Sequence, residues 1–568
     1  MTPTQSVTQA YERIDSEKKQ PIWISLVPRE KALTQAASLE AHPEAAQKPL
    51  YGLTFAVKDN IDVAGMPTTA ACPKFAYTPE RNAPVVDELL SAGAILIGKT
   101  NMDQFATGLV GTRTPHGACS SIYNPAYISG GSSSGSAVAV ALGQVDFSLG
   151  TDTAGSGRVP AAFNNIVGLK PSRGLISATG VVPACRTLDC VSIFSKSARD
   201  ALKVLRSAAH IDSRDFLSRP MIANRGCGWD PSHFRAGIPK PELLEFFGDR
   251  EAEKLYRAAV EKFAASGAKI VEIDFTPFRE AADLLYSGPW VAERLAAIES
   301  FANQHEADLD PVVGRIILGA KKYSAVDGFR ANYRLAELRQ KADAEWDHMD
   351  CLLLPTTGTT FTHAQIAAEP ILHNTQLGYY TNFVNLLDLS ALAIPAGFRP
   401  NGLPFGVTLM APAMSEVALT ATATHFLSEA TTKTIPPGFV EVAVVGAHLT
   451  GMPLNSQLTS RGGYLRETTK TSPEYRFYAL ANSTPPKPGL ERVPAFSGPG
   501  IEVEIWALPE SEFGSFVAAI PPPLGIGTVQ LSDGRNVKCF IAEHYALKDA
   551  KDITSFGGWR SYMQSLKR

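Results

Sequence analysis

"APVVDELLSAGAILIGKTNMDQF", running from Ala83 to Phe105, reads as a helix, a glycine break and then a buried strand. That rhythm belongs to an α/β fold, in which helices pack on the faces of a sheet. The flanking sequence extends it in both directions. Upstream, "LYGLTFAVKDNIDVAG" (Leu50–Gly65) is a strand-like apolar run ending at a charged turn. Residues 1–50 read as helical, with a polar lead and the amphipathic "REKALTQAASLEA". Downstream, the Gly/Ser loop of "GGSSSGSAVAVALG" (Gly130–Gly143) leads into a short helix of small residues able to pack closely on a sheet. "VDFSLGTDTAGSG" is a strand entering a second Gly-rich turn, and "NIVGLKPSRGLIS" is another strand and loop. Longer helical patterns occupy 240–350, and strand-like "LSALAIPAGF" and "LPFGVTLMAP" precede the helix "SEVALTATATHFLSEAT".

The pattern changes at "TTKTIPPG", Thr431–Gly438, where polar residues and paired prolines end a helix. Beyond it, "VEVAVVGAHLTG", "YRFYAL", "EVEIWALP" and "VKCFIAEHYAL" are short strand-like segments between Gly and Pro turns. The expected organisation is an α/β domain over 1–435 and a smaller β-rich domain over 436–568, in keeping with a chain of 568 residues. Hydrophobic residues at 45% and charged residues at 19% are the balance of a soluble globular protein. A net charge of −3 offers no bulk attraction to nucleic acid or an anionic membrane. No apolar run approaches the roughly 20 residues of a membrane span, and the polar beginning of the chain lacks the apolar core of a secretory signal. The seven cysteines are scattered, with no CxxC pair, which points to reduced thiols in a cytoplasmic protein.

Two Gly-rich turns carry the candidate chemistry. The first does not fit a phosphate cradle, because a P-loop requires Gly-Lys-Ser/Thr where Ser136 is followed by Ala137. A tight packing turn and a reactive turn both fit its composition. The second, "GTDTAGSGR" (Gly150–Arg158), sets Ser156 among glycines directly after a strand. There the N–H groups of Thr153, Ala154, Gly155 and Ser156 can converge on an oxyanion. It is not the GxSxG elbow, which needs glycine where Ala154 and Arg158 stand. A serine nucleophile requires a base. None of the 11 histidines has a motif-like setting in the first domain, His116 being the nearest. Lys58, at the end of an apolar run in "FAVKDN", is the other option, since burial would lower its pKa towards a neutral amine. The competing reading of Lys58 is an ion pair with Asp59 or Asp62.

Taken together, "AVKDNIDVAGMPTT", "GGSSSGSAVAVALG" and "LGTDTAGSGRVPAAFNNIVGLKPSRGLIS" resemble the amidase signature family, in order and in spacing. The resemblance implies a central mixed sheet flanked by helices. It implies Ser156 as nucleophile, Ser132 as bridging serine, Lys58 as terminal base and a cis peptide at Gly131–Ser132. It implies an oxyanion site at Thr153, Ala154 and Gly155, and no metal or organic cofactor. Most relatives have Gly-Gly-Ser ending at the nucleophile, whereas this chain has Ala154-Gly155-Ser156, wording similar to that of the allophanate hydrolases within the family.

"VAVVGAHLTGMPLN" (Val442–Asn455) and the closing "TSFGGWRSYM" resemble the C-terminal domain of the same group, an α+β domain related to γ-glutamyl cyclotransferase folds. The implied substrate is allophanate, a small anion best held by a guanidinium. Tyr286 and Arg294 in "YSGPWVAER" are the candidates for binding it, with backbone contact from Gly111 in "GLVGTRTP" and with Arg158 as a weaker choice for the anion. The implied role of the second domain is decarboxylation of N-carboxycarbamate by His448, with His544 as the rival histidine. The family often acts after a biotin-dependent urea carboxylase. No Met-Lys-Met biotin site is present here, so that activity is expected on a separate polypeptide. A cytoplasmic homodimer completes the expectation. The alternatives are another amidase of the family acting on a malonamate-like amide, and a non-catalytic partner-binding scaffold.

Overall fold

Ala83–Phe105 folds as a helix, Pro84–Ser91, a left-handed turn at Gly93 and a fully buried strand, Ile95–Thr100. Pro84 opens the helix at its first position, where a missing N–H costs nothing. The computed structural model describes residues 1–17, 19–221, 228–429, 439–481 and 485–566. Contacts divide the chain into two compact units. One takes Met1–Met221 and Ser232–Glu429, and the other takes the rest. The boundary expected within Thr431–Gly438 lies outside the described residues.

The first unit is built on one 11-stranded mixed sheet. Its strands are β1 (Trp23–Leu26), β2 (Thr54–Lys58), β3 (Ile95–Thr100), β4 (Phe147–Asp152), β5 (Val167–Lys170) and β6 (Cys190–Ser195). They continue with β7 (Phe234–Pro239), β8 (Ala268–Ile273), β9 (Cys351–Pro355), β10 (Leu389–Phe398) and β11 (Pro404–Pro412). The order is β1-β3-β2-β4-β6-β5-β10-β11-β9-β7-β8. β2 lies parallel to both β3 and β4, whereas β4–β6, β6–β5, β5–β10 and β10–β11 are antiparallel. β2, β3, β4, β5 and β6 are buried along their whole length, which explains why they read as apolar runs rather than as alternating patterns.

One expectation fails here. Residues 1–50 are not helical throughout, because β1 separates the helices Pro3–Ser16 and Arg29–Ala41 and pairs antiparallel with β3. Four residues are too few to display a strand period, and Pro21 and Pro28 on either side carried the only signal of a break. The helix Ser134–Ala141 is buried from Ser134 to Val140, so its small side chains let it lie against the sheet.

In the second unit, strand β12 (Phe439–Val444) belongs to a five-stranded sheet with Tyr464–Lys470, Glu502–Pro509, Leu524–Gln530 and Asn536–Ala542. A three-stranded sheet is formed by Tyr475–Ala479, Pro488–Arg492 and Lys551–Asp552. Val442, Val444, Ile505, Trp506, Phe540 and Trp559 are among the residues of its own apolar core. Among the described residues no helix is long and apolar enough to cross a membrane.

Candidate active site

Because β2 and β4 run parallel, the segments leaving their carboxyl ends emerge at the same edge of the sheet, where loops collect functional groups. Lys58 is the last residue of β2 and Asp152 the last of β4, with Ser156 in the turn that follows. The Gly130–Ser133 turn fills the space between them. Lys58 Nζ lies 2.7 Å from Ser132 Oγ, and Ser132 Oγ lies 2.9 Å from Ser156 Oγ. All three residues are buried. The Gly131–Ser132 peptide is cis. A Cβ on Gly131 would fall on Asp103 Oδ2 and Gly111 N, so only glycine fits at that point. The Asp103 N–H donates to the Ser132 carbonyl at 3.0 Å and holds the turn from below.

Lys58 forms no ion pair with its neighbours. Asp59 faces Lys99 Nζ at 3.3 Å, and Asp62 accepts from the hydroxyls of Thr68 and Tyr77. The second partner of Lys58 is Thr151 Oγ1, at 2.9 Å. Complete burial pulls the lysine amine down from its ordinary range to about 7. The carboxylates of Asp103, Asp189 and Asp152 oppose that fall, and the Arg294 guanidinium adds to it. A buried lysine at this value is a base near neutral pH.

Asp152 organises the turn that carries Ser156. Its carboxylate accepts from the N–H groups of Gly155 and Gly157, each at 2.9 Å, and pairs with Arg158 through Nε and Nη2, both at 2.9 Å. Burial alone would raise the Asp152 carboxyl, but the Arg158 guanidinium and these donors hold it below the usual range. Arg158 is thus held by the turn and by the carbonyl of Thr381 at 3.2 Å, its Nη1 making no hydrogen bond among the described residues. The expected oxyanion donors separate accordingly. The N–H groups of Thr153, Ala154 and Ser156 make no hydrogen bond among the described residues, whereas that of Gly155 is taken by Asp152. Gly111 is committed in the same way, its N–H donating to Asp103 Oδ2 at 3.0 Å. In both cases a nearby carboxylate claims the donor, which composition does not reveal.

Tyr286 and Arg294 do not share one helix. The helix Thr276–Ser287 stops at Gly288, and Pro289 precedes a new helix, Val291–Gln304. The two side chains meet nonetheless, Arg294 Nη2 donating to Tyr286 Oη at 3.3 Å with the guanidinium carbon 5.4 Å from the ring centre. Arg294 is buried, with no carboxylate within ion-pair distance among the described residues. Its Nη1 reaches Thr107 Oγ1 at 3.0 Å, and the next residue, Gly108, offers its carbonyl to Ser156 Oγ at 3.4 Å. One short segment thus links the serine hydroxyl to the guanidinium. Ala154, Leu285 and Trp290 share an apolar cluster against which Tyr286 packs, bringing this wall to the turn that carries Ser156.

Sequence reasoning passed over Thr151, Asp152, Asp189 and Thr107. Asp189 Oδ1 accepts from the Thr153 hydroxyl at 2.5 Å and Oδ2 from the Ala184 N–H at 2.8 Å. Thr151 and Asp152 sit inside the quoted motif, but nothing in it separates a relay contact from an ordinary strand residue. Ser133 and Ser134 give hydrogen-bond support rather than a side-chain cap, bonding the carbonyls of Thr151 and Asn101 at 3.2 and 3.4 Å.

In the second unit, the chain leaving β12 turns through Gly446 and Ala447 to His448. The ring stacks on Phe540, with centroids 4.8 Å apart, and meets Phe516 edge-on at 5.5 Å. His448 Nε2 lies 3.0 Å from Gln457 Oε1. Burial lowers the imidazole below its ordinary pKa, against the effect of the Gln457 bond. His448, Leu454, Gln457, Lys487 and Phe540 are among the residues lining a cavity of about 200 Å³. His544 is instead 93% exposed and faces Glu491 at 3.1 Å, far from the burial that tunes His448. Among the described residues, no group of three or more His, Cys, Asp or Glu is arranged to hold a metal ion.

Residues 5–420 match the amidase family, and residues 440–564 match the allophanate hydrolase C-terminal domain. The urea amidolyase of Saccharomyces cerevisiae is 45% identical over 98% of this chain, which covers 32% of that protein. The urea amidolyase of Lachancea kluyveri is 44% identical over 100% of this chain and 33% of its own length. Among solved structures, selenomethionine-substituted Kluyveromyces lactis allophanate hydrolase superposes with a TM-score of 0.80 at 43% identity, covering 100% of this chain and 97% of that one. The chain spans about a third of the length of the curated urea amidolyases it matches. It belongs to the amidase family.

Proposed function

We propose that this amidase-family chain hydrolyses allophanate, and that its two units divide the work. The observation that carries the reading is the unbroken hydrogen-bonded line from Lys58 through Ser132 to Ser156, ending on a lysine whose amine titrates at about 7. Neutral Lys58 accepts a proton from Ser132 as Ser132 accepts one from Ser156, and Ser156 Oγ attacks the amide carbonyl. The oxyanion forms beside the N–H groups of Thr153, Ala154 and Ser156, which make no other hydrogen bond among the described residues. Return of the proton along the same line releases ammonia. Water then attacks the acyl-enzyme under the same base and yields N-carboxycarbamate.

The buried Arg294, braced by Tyr286 and Thr107, binds the substrate carboxylate. Gly111 serves this site through backbone shape rather than through its N–H, which Asp103 holds. His448 in the second unit promotes loss of carbon dioxide from N-carboxycarbamate, and the match of residues 440–564 to the allophanate hydrolase C-terminal domain supports that assignment. Urea amidolyases match the chain over nearly all of its length, which supports a reaction carboxylating urea as the source of its substrate. The six described cysteines, all free and buried, support a reducing, cytoplasmic compartment. We carry a homodimer in the same reading, checked by sedimentation of the purified chain.

The test is ammonia release from allophanate by the full chain and by Ser156→Ala. Equal rates would remove Ser156 as nucleophile. A malonamate-like substrate is the second reading, since Arg294 would accept any small carboxylate. Faster turnover of malonamate than of allophanate would favour it.

A further inference from the structure

His448 has two ring nitrogens, and among the described residues only one of them has a hydrogen-bond partner. Nε2 lies 3.0 Å from Gln457 Oε1, and with the amide in this orientation its oxygen accepts from an Nε2–H. Nδ1 makes no hydrogen bond among the described residues and is left with its lone pair. Phe540 lies against the face of the ring and Phe516 against its edge, packing it on two sides. Gln457 is itself held. It lies in the helix Ser456–Thr459, and its backbone carbonyl accepts from Arg461 Nη1 at 2.9 Å. Asn455 Nδ2 ties the same helix start to the His448 carbonyl at 2.8 Å. Both His448 and Gln457 line the cavity of the second unit.

From this geometry we propose that Gln457 is a positioning residue that fixes His448 as the Nε2–H tautomer and so makes Nδ1 the atom that delivers a proton inside the cavity. The inference rests on the decarboxylating role proposed above for the second unit. In that step the bond between nitrogen and one carboxylate carbon of N-carboxycarbamate breaks. Its electron pair goes to nitrogen, the carboxylate leaves as carbon dioxide, and a proton joins the nitrogen to give carbamate. The dianion plus one proton therefore becomes a monoanion plus carbon dioxide. Nδ1 takes that proton from water, leaving hydroxide, and passes it to the nitrogen, while the His448 Nε2–H stays hydrogen-bonded to Gln457 throughout. A ring free to choose its tautomer would place a hydrogen on Nδ1 in part of the population, where no lone pair could receive the incoming proton. Burial, together with the charges of Lys487 and Arg461, keeps the resting ring neutral, which leaves the lone pair open.

The experiment uses the full chain, carbon-13-labelled allophanate and nitrogen-15-labelled histidine. Loss of allophanate reads the first step, and decay of N-carboxycarbamate above its uncatalysed rate reads the second. In Gln457→Ala the first step stays unchanged, the second slows about tenfold, and the His448 nitrogen signals move from one tautomer to a mixture. Gln457→Glu keeps an acceptor at Nε2, so it retains the single tautomer. Its carboxylate favours the imidazolium, so the pH dependence of the second step moves to higher pH. A purely structural role for Gln457 would leave the tautomer signals and that pH dependence untouched in both variants. An unchanged second step in Gln457→Ala, with His448→Ala losing it, overturns the role of Gln457 and leaves the decarboxylating reading standing. A full-speed second step in His448→Ala overturns that reading as well.

Discussion

The two candidate sites of this chain tune their titrating groups by the same force and guide their protons by different means. In the first unit, burial brings Lys58 down to about 7, and a line of 2.7 and 2.9 Å bonds joins its amine to two serine hydroxyls, the relay proposed above. In the second, burial lowers His448, and one amide, Gln457, meets its Nε2 at 3.0 Å, the contact proposed above to set which nitrogen exchanges the proton. Lysine has a single nitrogen, so its direction has to be built from neighbours, here Ser132 on one side and Thr151 on the other. Histidine has two, so choosing a tautomer is enough. The difference shows in the number of buried polar partners each site needs. The first recruits groups from β2, β4 and the turns around Asp103 and Ser132, while the second needs one glutamine and two aromatic rings.

The comparison is broken most forcefully at Ser156. Ser156→Ala should lower ammonia release from allophanate by about 10⁴-fold or more, while leaving the decay of added N-carboxycarbamate unchanged. A second step that fell with the first would mean that the two sites are not independent. Lys58→Met should cost about 10³-fold in the first step. The wild-type kcat/KM should rise with pH to a plateau above about 7, because the relay needs the neutral amine and burial has set its titration there. A limb centred near the ordinary lysine range would show that burial does not set the working pKa.

His448→Ala is the mirror experiment. It should slow decay of N-carboxycarbamate about 100-fold and leave loss of allophanate alone, as followed by carbon-13 spectra. A smaller effect is expected at Arg294, whose proposed contribution is binding. Arg294→Ala should raise KM for allophanate about 30-fold, the worth of one charge-assisted hydrogen bond at ~2 kcal/mol. Turnover of a neutral amide should hardly change. Equal losses on both substrates would make Arg294 a structural brace for Thr107 and Tyr286 rather than the anion's partner.

Much of this molecule is legible in its residues. The helix, glycine and strand of Ala83–Phe105 appear as read, because propensity, a breaking glycine and burial all favour the same local structure. β1 was hidden by its four-residue length. Lys58, Ser132 and Ser156 stand in motifs whose glycines are local requirements, as at Gly131, where any side chain would strike Asp103. That Asp152 takes the Gly155 N–H was not legible, because it depends on how the turn closes.

The sequence by itself determined the sheet-and-helix class, the two Gly-rich turns and the serines and lysine they present, since these follow from short-range backbone and residue chemistry. Only the tertiary structure decided what state those groups are in. The choice of Lys99 rather than Lys58 by Asp59, the pairing of Arg158 with Asp152, the meeting of Arg294 with Tyr286 across a broken helix and the contact of His448 with Gln457 each depend on side-chain geometry, burial or competing partners. A pKa or a hydrogen-bond direction depends on everything within a few ångströms, and in a folded chain most of that comes from far along the sequence.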